Sequence, residues 1–366
     1  MEPQGQLDVK NSAHICVDIR VSALFKMKVL ITGGCGFIGS NFIRYFNNKY
    51  PYYKILNVDK LTYAGNLENL KNLERKKNYR FVKVDISNTK AMKKIFEKFH
   101  PDAVINFAAE SHVDRSIVTP APFIKTNFLG VGVLLNLALK FQVKKFLQIS
   151  TDEVYGSILR GSFTENSPVD PSSPYAASKA AADALVLSYY KTHSLPVQIT
   201  RSSNNYGPYQ FPEKLIPLTI LNALSNKKIP VYGDGKNVRD WLYVEDNCEA
   251  IDIVFHHGVI GEIYNIGGEN ELTNIYVVKK ILKLLNKDES LITFVKDRPG
   301  HDRRYSLSLN KIRRQLDWHP SKSFATGLKK TLEWCQKNNR WLKNTQSGEY
   351  RKFYRTHYSK LGLTGI

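Results

Sequence analysis

The chain has only four cysteines in 366 residues. Cys16, Cys35, Cys248 and Cys335 stand far apart, at no spacing that would pair them or ligate a metal. Reduced thiols, a cytoplasmic setting and no metal site are therefore expected. No unbroken apolar run reaches the ~18 residues a membrane-spanning helix needs, so no membrane partner is expected. The opening "MEPQGQLDVK" is polar and contains acids, and no apolar core leading to a small-residue cleavage site follows it. Acids are scarce as well: 33 Asp and Glu face 53 Lys and Arg, a formal net charge of +20. Such an excess raises nucleic acid as a partner, but its distribution argues otherwise. Residues 321–366 alone carry ten Lys or Arg against two acids, and the remaining charge is spread thinly with no RNP, zinc-finger or arginine-rich signature. An anionic small molecule is the better match.

Residues 1–26 show no periodicity and are expected to be a poorly ordered extension ahead of "MKVLITGG". From Lys28 the pattern alternates. Apolar runs at 28–32, 53–59, 80–85, 102–109, 144–151 and 196–203 read as strands, and amphipathic stretches at 37–50, 89–99, 128–141 and 175–193 read as helices. Strands alternating with helices predict parallel pairing through right-handed crossovers, an α/β Rossmann-type doubly wound sheet. Residues 27–205 are expected to form this dinucleotide-binding domain. Beyond 205 Gly, Pro and Asn loosen the pattern, so 206–345 are expected to form a smaller substrate domain, partly interleaved with the first. Residues 346–366 are expected to be a basic tail; were that tail to bind nucleic acid, its deletion should abolish the binding and leave turnover unchanged.

"TGGCGFIG" (32–39) lies between the first strand and the first helix. Gly33 permits a tight turn, Gly36 lets backbone approach a pyrophosphate, and Gly39 lets helix and strand pack closely. The helix N-terminus then offers free N–H groups and a partial positive charge to phosphates. Asp59 ends the second strand, 20 residues after Gly39. A carboxylate there binds a ribose diol and repels a 2′-phosphate, which favours NAD over NADP, although Lys60 weakens that preference. Asp85, ending the third strand, is in reach of the adenine.

"YAASK" sets Tyr175 and Lys179 four apart, on one helix face. A tyrosine of pKa near 10 is too weak a base at neutral pH, and a neighbouring ammonium is expected to pull it down. Together with the glycine loop, this resembles the extended short-chain dehydrogenase/reductase family over residues 28 to about 345. The resemblance implies that Thr151 completes a triad with Tyr175 and Lys179.

"TDE" (151–153) adds two acids beside that triad. A ketone at C4 of a hexose acidifies the C5 proton, and loss of water across C5–C6 then needs one base and one acid. Two close carboxylates do not easily both ionise, so one keeps its proton. The stretch resembles the nucleoside-diphosphate-sugar dehydratases, and by that likeness Asp152 is the general acid and Glu153 the base. The same likeness implies cofactor contacts at Phe37 and Ile38, at Lys60, Leu61 and Thr62, at Ile86, Ala108 and Ala109, and at Thr126 and Asn204. It implies substrate contacts at Ser111 in "AAESHVDRS", Thr151, Asn205, Lys214 and Leu215 in "PEKLIP", Tyr232 in "PVYGDG", Arg239 and Asn274. Arg298 and His301 in "DRPGHDRRY" are implied to pair a diphosphate. NAD, a nucleoside-diphosphate glucose (dTDP-glucose foremost) and a homodimer are the implied partners. The dimer would form through helices 128–141 and 175–193. Cys35 departs from the smaller residue common at its position. A 4-epimerase, a UDP-glucose dehydratase and a non-catalytic NAD-binding scaffold are alternatives that the residues leave open.

Overall fold

The computed structural model describes residues 26–345, 356–359 and 361. The extension at 1–25 and most of the basic tail lie outside the described residues.

The first half alternates as its apolar periods dictate. It runs β1 (Lys28–Thr32), α1 (Phe37–Lys49), β2 (Lys54–Asp59), β3 (Tyr79–Lys83), α2 (Thr89–Phe99) and β4 (Ala103–Asn106). Two short helices, α3 (Val113–Val118) and α4 (Ala121–Phe123), lead through a π-helical turn at Ile124–Leu129 into α5 (Gly130–Lys140). Then come β5 (Lys145–Thr151), α6 (Pro174–His193) and β6 (Val197–Ser202). The second half holds β7 (Asn204–Tyr206), α7 (Leu215–Leu224), β8 (Ile229–Tyr232), β9 (Val238–Tyr243), α8 (Val244–His257) and β10 (Ile263–Ile266). It ends with β11 (Glu271–Thr273), α9 (Asn274–Leu284), β12 (Ile292–Val295), α10 (Asn310–Leu316), α11 (Phe324–Lys337) and α12 (Asn339–Thr345).

Seven strands form one sheet in the order β10-β6-β5-β4-β1-β2-β3, every pair parallel. Side chains of a strand alternate between its faces. Val29 and Ile31 accordingly join Phe42, Phe46, Ile251 and Phe255 of α1 and α8 on one face. Leu30 joins Phe96, Leu134, Leu135 and Val186 of α2, α5 and α6 on the other. With both faces covered, the strands carry near-continuous apolar runs, as parallel strands do. The segment Ala121–Lys140 is long and apolar enough to cross a membrane, yet half of it is buried, and α5 within it packs on the sheet. That makes it a core helix.

Because β1 leads to β2 on one side while β3 crosses back to β4 on the other, a crevice opens at the carboxyl ends of β1 and β4. Gly33 sits at that point with φ +69°, and a Cβ there would lie 2.4 Å from the Ala108 nitrogen. Only glycine fits so close an approach. In the second half, β11, β9 and β7 form a three-stranded sheet, and β8 pairs with β12. Tyr206, Ile216, Trp241, Ile281 and Leu328 build a separate core there. The chain does not stay in that half after residue 206. The apolar side of α8 carries it back to the large sheet, where β10 pairs with β6.

The described part of the tail is docked on the second half. Residues 356–359 form a helical turn in which Tyr358 is buried against Leu218 and Val295. His357 Nε2 lies 2.7 Å from the Tyr232 hydroxyl. An aromatic pair in an otherwise basic stretch finds an apolar seat, so this piece is not a free appendage.

Candidate active site

A cleft of about 400 Å³ runs from the glycine loop across the ends of the strands to the second half. At its first end, α1 begins at Gly36 with no side-chain cap and no acid in its first turn, so its leading N–H groups are open to an anion. A Cβ on Gly39 would stand 2.5 Å from the Gly33 oxygen, whereas one on Gly36 would meet only that oxygen, at 3.3 Å. Gly39 is thus needed for packing, and Gly36 keeps the cleft side clear. Both oxygens of Asp59 are oriented by backbone, accepting from Cys35 N at 2.9 Å and Leu61 N at 2.8 Å. Leu61 adopts φ +55° to make that bond. Burial raises the Asp59 carboxyl from its usual value against these N–H bonds and Lys60.

Lys60 does not compete for a phosphate here. Its ammonium lies 3.0 Å from Thr126 Oγ1, 3.2 Å from Glu110 and 3.9 Å from Asp85. Its charge is already matched, which removes the reservation about NAD over NADP. Asp85 does not line the cleft, although Ile86 does. Its carboxylate is turned to Ser87, whose N–H and hydroxyl donate at 2.9 and 2.8 Å. These bonds with Lys60 and Lys125 outweigh burial and hold it below its usual range. Leu61 also stands outside the lining and packs against the core. Ala108, Ala109, Thr62, Phe37, Ile38 and Asn204 are all on the wall. The uncapped helix start, the glycine clearance and the oriented Asp59 fit a dinucleotide.

Across the middle, β5 ends on Thr151 and the chain turns at once. Thr151 Oγ1 caps the turn by accepting from Glu153 N at 3.2 Å, and its hydroxyl donates to Asp152 Oδ1 at 3.1 Å. The two carboxylates are not equivalent. Asp152 is 2% exposed, and burial with the neighbouring Glu153 charge pushes its carboxyl well up. Glu153 is also raised by burial, but Arg298, Lys214 and Arg239 oppose the rise. Of the two, Asp152 is pushed further toward its protonated form, and the three cations keep Glu153 closer to an ordinary carboxylate.

Ser173 caps α6 by accepting from Ala176 N at 3.1 Å, with Pro174 in the first turn. That start aims Tyr175 at the turn and places Lys179 one turn deeper. The phenol is not pulled down as the Tyr175–Lys179 spacing predicts. The Lys179 ammonium donates to the Ile149 carbonyl at 2.5 Å, and burial brings it down to about 8. The Tyr175 phenol is pushed up by burial and by Glu153, with Thr151 the group opposing that rise.

At the far end three cations gather on the wall, Lys214, Arg239 and Arg298. Lys214 Nζ donates to the Ser111 carbonyl at 2.9 Å, so Ser111 sits beside that lysine. Arg298 pairs with Asp114 at 3.1 Å, and Arg239 lies over the Tyr305 ring at 4.2 Å. Leu215, Tyr232 and Asn274 complete this end. Asn205 contributes a buried Oδ1 with no partner among the described residues. His301 is also on the wall. Burial and Arg298 push its imidazole down to about 4, and Nδ1 stands 2.6 Å from Asp297. At neutral pH its imidazole is therefore uncharged.

Several residues of the site were not singled out from the sequence. Asp114 holds Arg298 and accepts from the Tyr232 hydroxyl at 2.9 Å. Glu213, beside Lys214, accepts from the Tyr63 hydroxyl at 3.0 Å, and burial pushes it up to about 7. Tyr358 reaches the wall from the tail. Asp114 and Glu213 lie inside the stretches "AAESHVDRS" and "PEKLIP", where acids interleaved with bases were the available signal. Nothing local marks Tyr358.

Comparison with known proteins follows this geometry closely. A family model described as "GDP-mannose 4,6 dehydratase" matches residues 30–331. The dTDP-glucose 4,6-dehydratase of Salmonella typhimurium is 48% identical, over 91% of this chain and 99% of that one. The crystal structure of the Bacillus anthracis dTDP-glucose 4,6-dehydratase in complex with NAD superposes with TM-score 0.82 at 50% identity, covering 87% of this chain and 99% of that chain. The Streptomyces venezuelae dTDP-glucose 4,6-dehydratase, solved with NAD bound, gives TM-score 0.85 at 46% identity over 87% and 100%.

Proposed function

The chain belongs to the family described as GDP-mannose 4,6 dehydratase, and from that membership we infer an NAD-dependent hydro-lyase that converts dTDP-glucose to its 4-keto-6-deoxy product. Relatives near 50% identity over nearly their whole length are dTDP-glucose 4,6-dehydratases, which selects this substrate within the family. The observation that carries the reading is the unequal pair Asp152 and Glu153 beside Tyr175, burial pushing the Asp152 carboxyl well up while three cations oppose the rise of Glu153.

The residues that would hold NAD are Gly33, Gly36, Phe37, Ile38 and Gly39 for the phosphates and Asp59 for a ribose. When bound, it supplies a hydride acceptor for C4 and a hydride donor for C6. The rest falls to side chains of this chain. We assign Tyr175 to take the C4 hydroxyl proton, with Thr151 hydrogen-bonding beside it and Lys179 supplying positive charge behind it. Glu153 removes the C5 proton once C4 is a ketone, and returns a proton to C5 when C6 is reduced. Asp152 protonates the departing C6 hydroxyl, and Thr151, donating to Oδ1, leaves its Oδ2 turned elsewhere. Lys214, Arg239 and Arg298 bind the diphosphate and, by the same charge, keep Glu153 able to ionise.

The test is incubation with dTDP-glucose and with UDP-glucose, followed by the absorbance that alkali induces in a 4-keto sugar. A strong signal from dTDP-glucose is expected. A signal from neither would overturn the assignment, and one from UDP-glucose alone would move the base preference. We place the reaction in the cytoplasm, a setting supported by Cys35, Cys248 and Cys335 remaining buried free thiols. We further propose a homodimer. Val118, Ile124 and Leu129 stand 73%, 52% and 54% exposed on the helical layer that includes α5 and α6, an apolar surface that a second copy would cover. Light scattering should give twice the chain mass of 41.8 kDa, and a monomer mass would refute it.

A further inference from the structure

Between the acid–base turn and α6 the chain makes an excursion, residues 156–173, that the mechanism does not use. It runs along residues 300–308 and bonds to them repeatedly. Ile158 N donates to the Arg304 carbonyl at 3.1 Å, Phe163 N to the Ser306 carbonyl at 2.9 Å, and Ser308 N to the Phe163 carbonyl at 2.8 Å. The segment that carries Arg298 and His301 is thus fastened to the loop that joins Glu153 to Tyr175.

Asp302 is where this fastening reaches the site. Its carboxylate Oδ2 accepts from the Ser172 hydroxyl at 2.5 Å and from the Tyr305 hydroxyl at 2.7 Å. Its backbone carbonyl accepts from Arg239 at 2.9 Å and from Asn237 at 3.1 Å. Ser172 immediately precedes the cap of α6. Tyr305 lies under the Arg239 guanidinium. The approach is tight, since a Cβ on Gly300 (φ +63°) would fall 2.6 Å from the Ser172 carbonyl oxygen.

We propose that Asp302 is a positioning residue for the dehydration: it pins Tyr305 and the start of α6 to one another, and so holds the diphosphate-binding arginines in register with Glu153 and Tyr175. The inference rests on the dehydratase reading and deepens it. Asp302 need not touch the sugar. A misplacement of about 1 Å in such a frame costs on the order of 10²-fold in rate. Its charge also bears on Glu153, which is faced by Arg298, Lys214 and Arg239 from the second half, by Asp152 from its own turn, by Tyr175 from α6, and by Tyr305 and Asp302 from this segment. Asp302 works upward on the Glu153 carboxyl.

The test compares Asp302→Asn, Asp302→Ala and Ser172→Ala with the wild-type enzyme, measuring kcat and KM for dTDP-glucose across pH and dTDP affinity by calorimetry. Asp302→Ala loses about 10²-fold in kcat while dTDP affinity changes little, because the backbone carbonyl that Arg239 uses is retained. Asp302→Asn keeps an acceptor and loses less in kcat. With one negative charge fewer near Glu153, that base ionises more readily, so the acidic limb of its kcat/KM profile moves to lower pH. Ser172→Ala lowers kcat without moving the limb. A merely structural role would lower the height of the profile and leave the limb in place, and that result overturns the proposal, as do wild-type kinetics in all three variants. Should Asp302→Ala not fold, the isosteric Asn variant and Ser172→Ala decide alone. A wild-type enzyme that makes no keto product would sink the functional reading itself, whereas a productive wild type with unaffected variants sinks only the role of Asp302.

Discussion

Glu153→Gln should form the 4-keto-6-deoxy product about 10²- to 10⁴-fold more slowly than wild type, the range lost with a general base. Its addition to dTDP-glucose should still raise reduced-cofactor absorbance. The reason is a division of labour along the turn at 151–153. Oxidation at C4 draws on Tyr175, Thr151 and Lys179, none of which the substitution alters. Removal of the C5 proton draws on Glu153, and glutamine of nearly the same shape cannot accept that proton. Asp152→Asn should produce the same split at the next step, because its buried carboxyl is the proton source. The two variants also separate a dehydratase from a 4-epimerase, which needs no acid–base pair and would keep nearly full turnover in both. Stopped-flow absorbance for the cofactor and alkali-induced absorbance for the product measure the two halves independently. Loss of both signals together, or of neither, would contradict the assignment.

The second large effect is expected at Tyr175. Tyr175→Phe should abolish both signals, again by about 10²- to 10⁴-fold, since no group then takes the C4 hydroxyl proton. The ring is held by Val113 and Phe123, contacts that phenylalanine keeps, so the fold should be unaffected. Lys179→Met should act in the same direction by removing the charge behind that tyrosine. The pH profile of the wild-type enzyme carries the signature of this lysine. Burial brings its ammonium down from 10.5 to about 8, so it is charged below that pH and neutral above it, and kcat/KM should decline as pH rises through about 8. Stability runs the opposite way. An unfolded chain binds this proton more tightly than the folded one, so the burden of a buried ammonium is felt below pH 8 and is relieved as pH climbs from 8 toward 10.5. A rate profile flat to pH 10 would exclude Lys179 from the reaction.

Much of this was legible in the residues because the signals are local. From β1 to β6 short apolar runs alternate with stretches of period 3.6, and helix 89–99 and strand 28–32 lie where that pattern puts them. "TGGCGFIG" carries its own steric reasons, and a four-residue spacing puts Tyr175 and Lys179 on one face regardless of what surrounds them. What was not legible depends on distant partners. The acceptor of Lys179 is a carbonyl 30 positions earlier, on the strand beneath α6. Asp302 reads as one more charge in "DRPGHDRRY" until Ser172, 130 positions away, is seen bonded to it. The titration of His301 depends on Arg298 and on burial, and composition reports neither. Tyr358 is the extreme case, an aromatic beyond the described end of α12 that seats itself against Leu218 and Val295.

The return of β10 to the edge of the large sheet has a further consequence. Residues 207–262, which build much of the second half, are threaded between two neighbouring strands, β6 and β10, of the first. A fragment stopping at residue 205 would leave β6 with bare N–H and C=O groups along a flat apolar rim, the template on which chains aggregate. The halves consequently cannot come apart as beads on a string, and melting should proceed as one cooperative transition. Such closure should tie the reading of the sugar to the integrity of the cofactor platform, so that losing one carries the other with it.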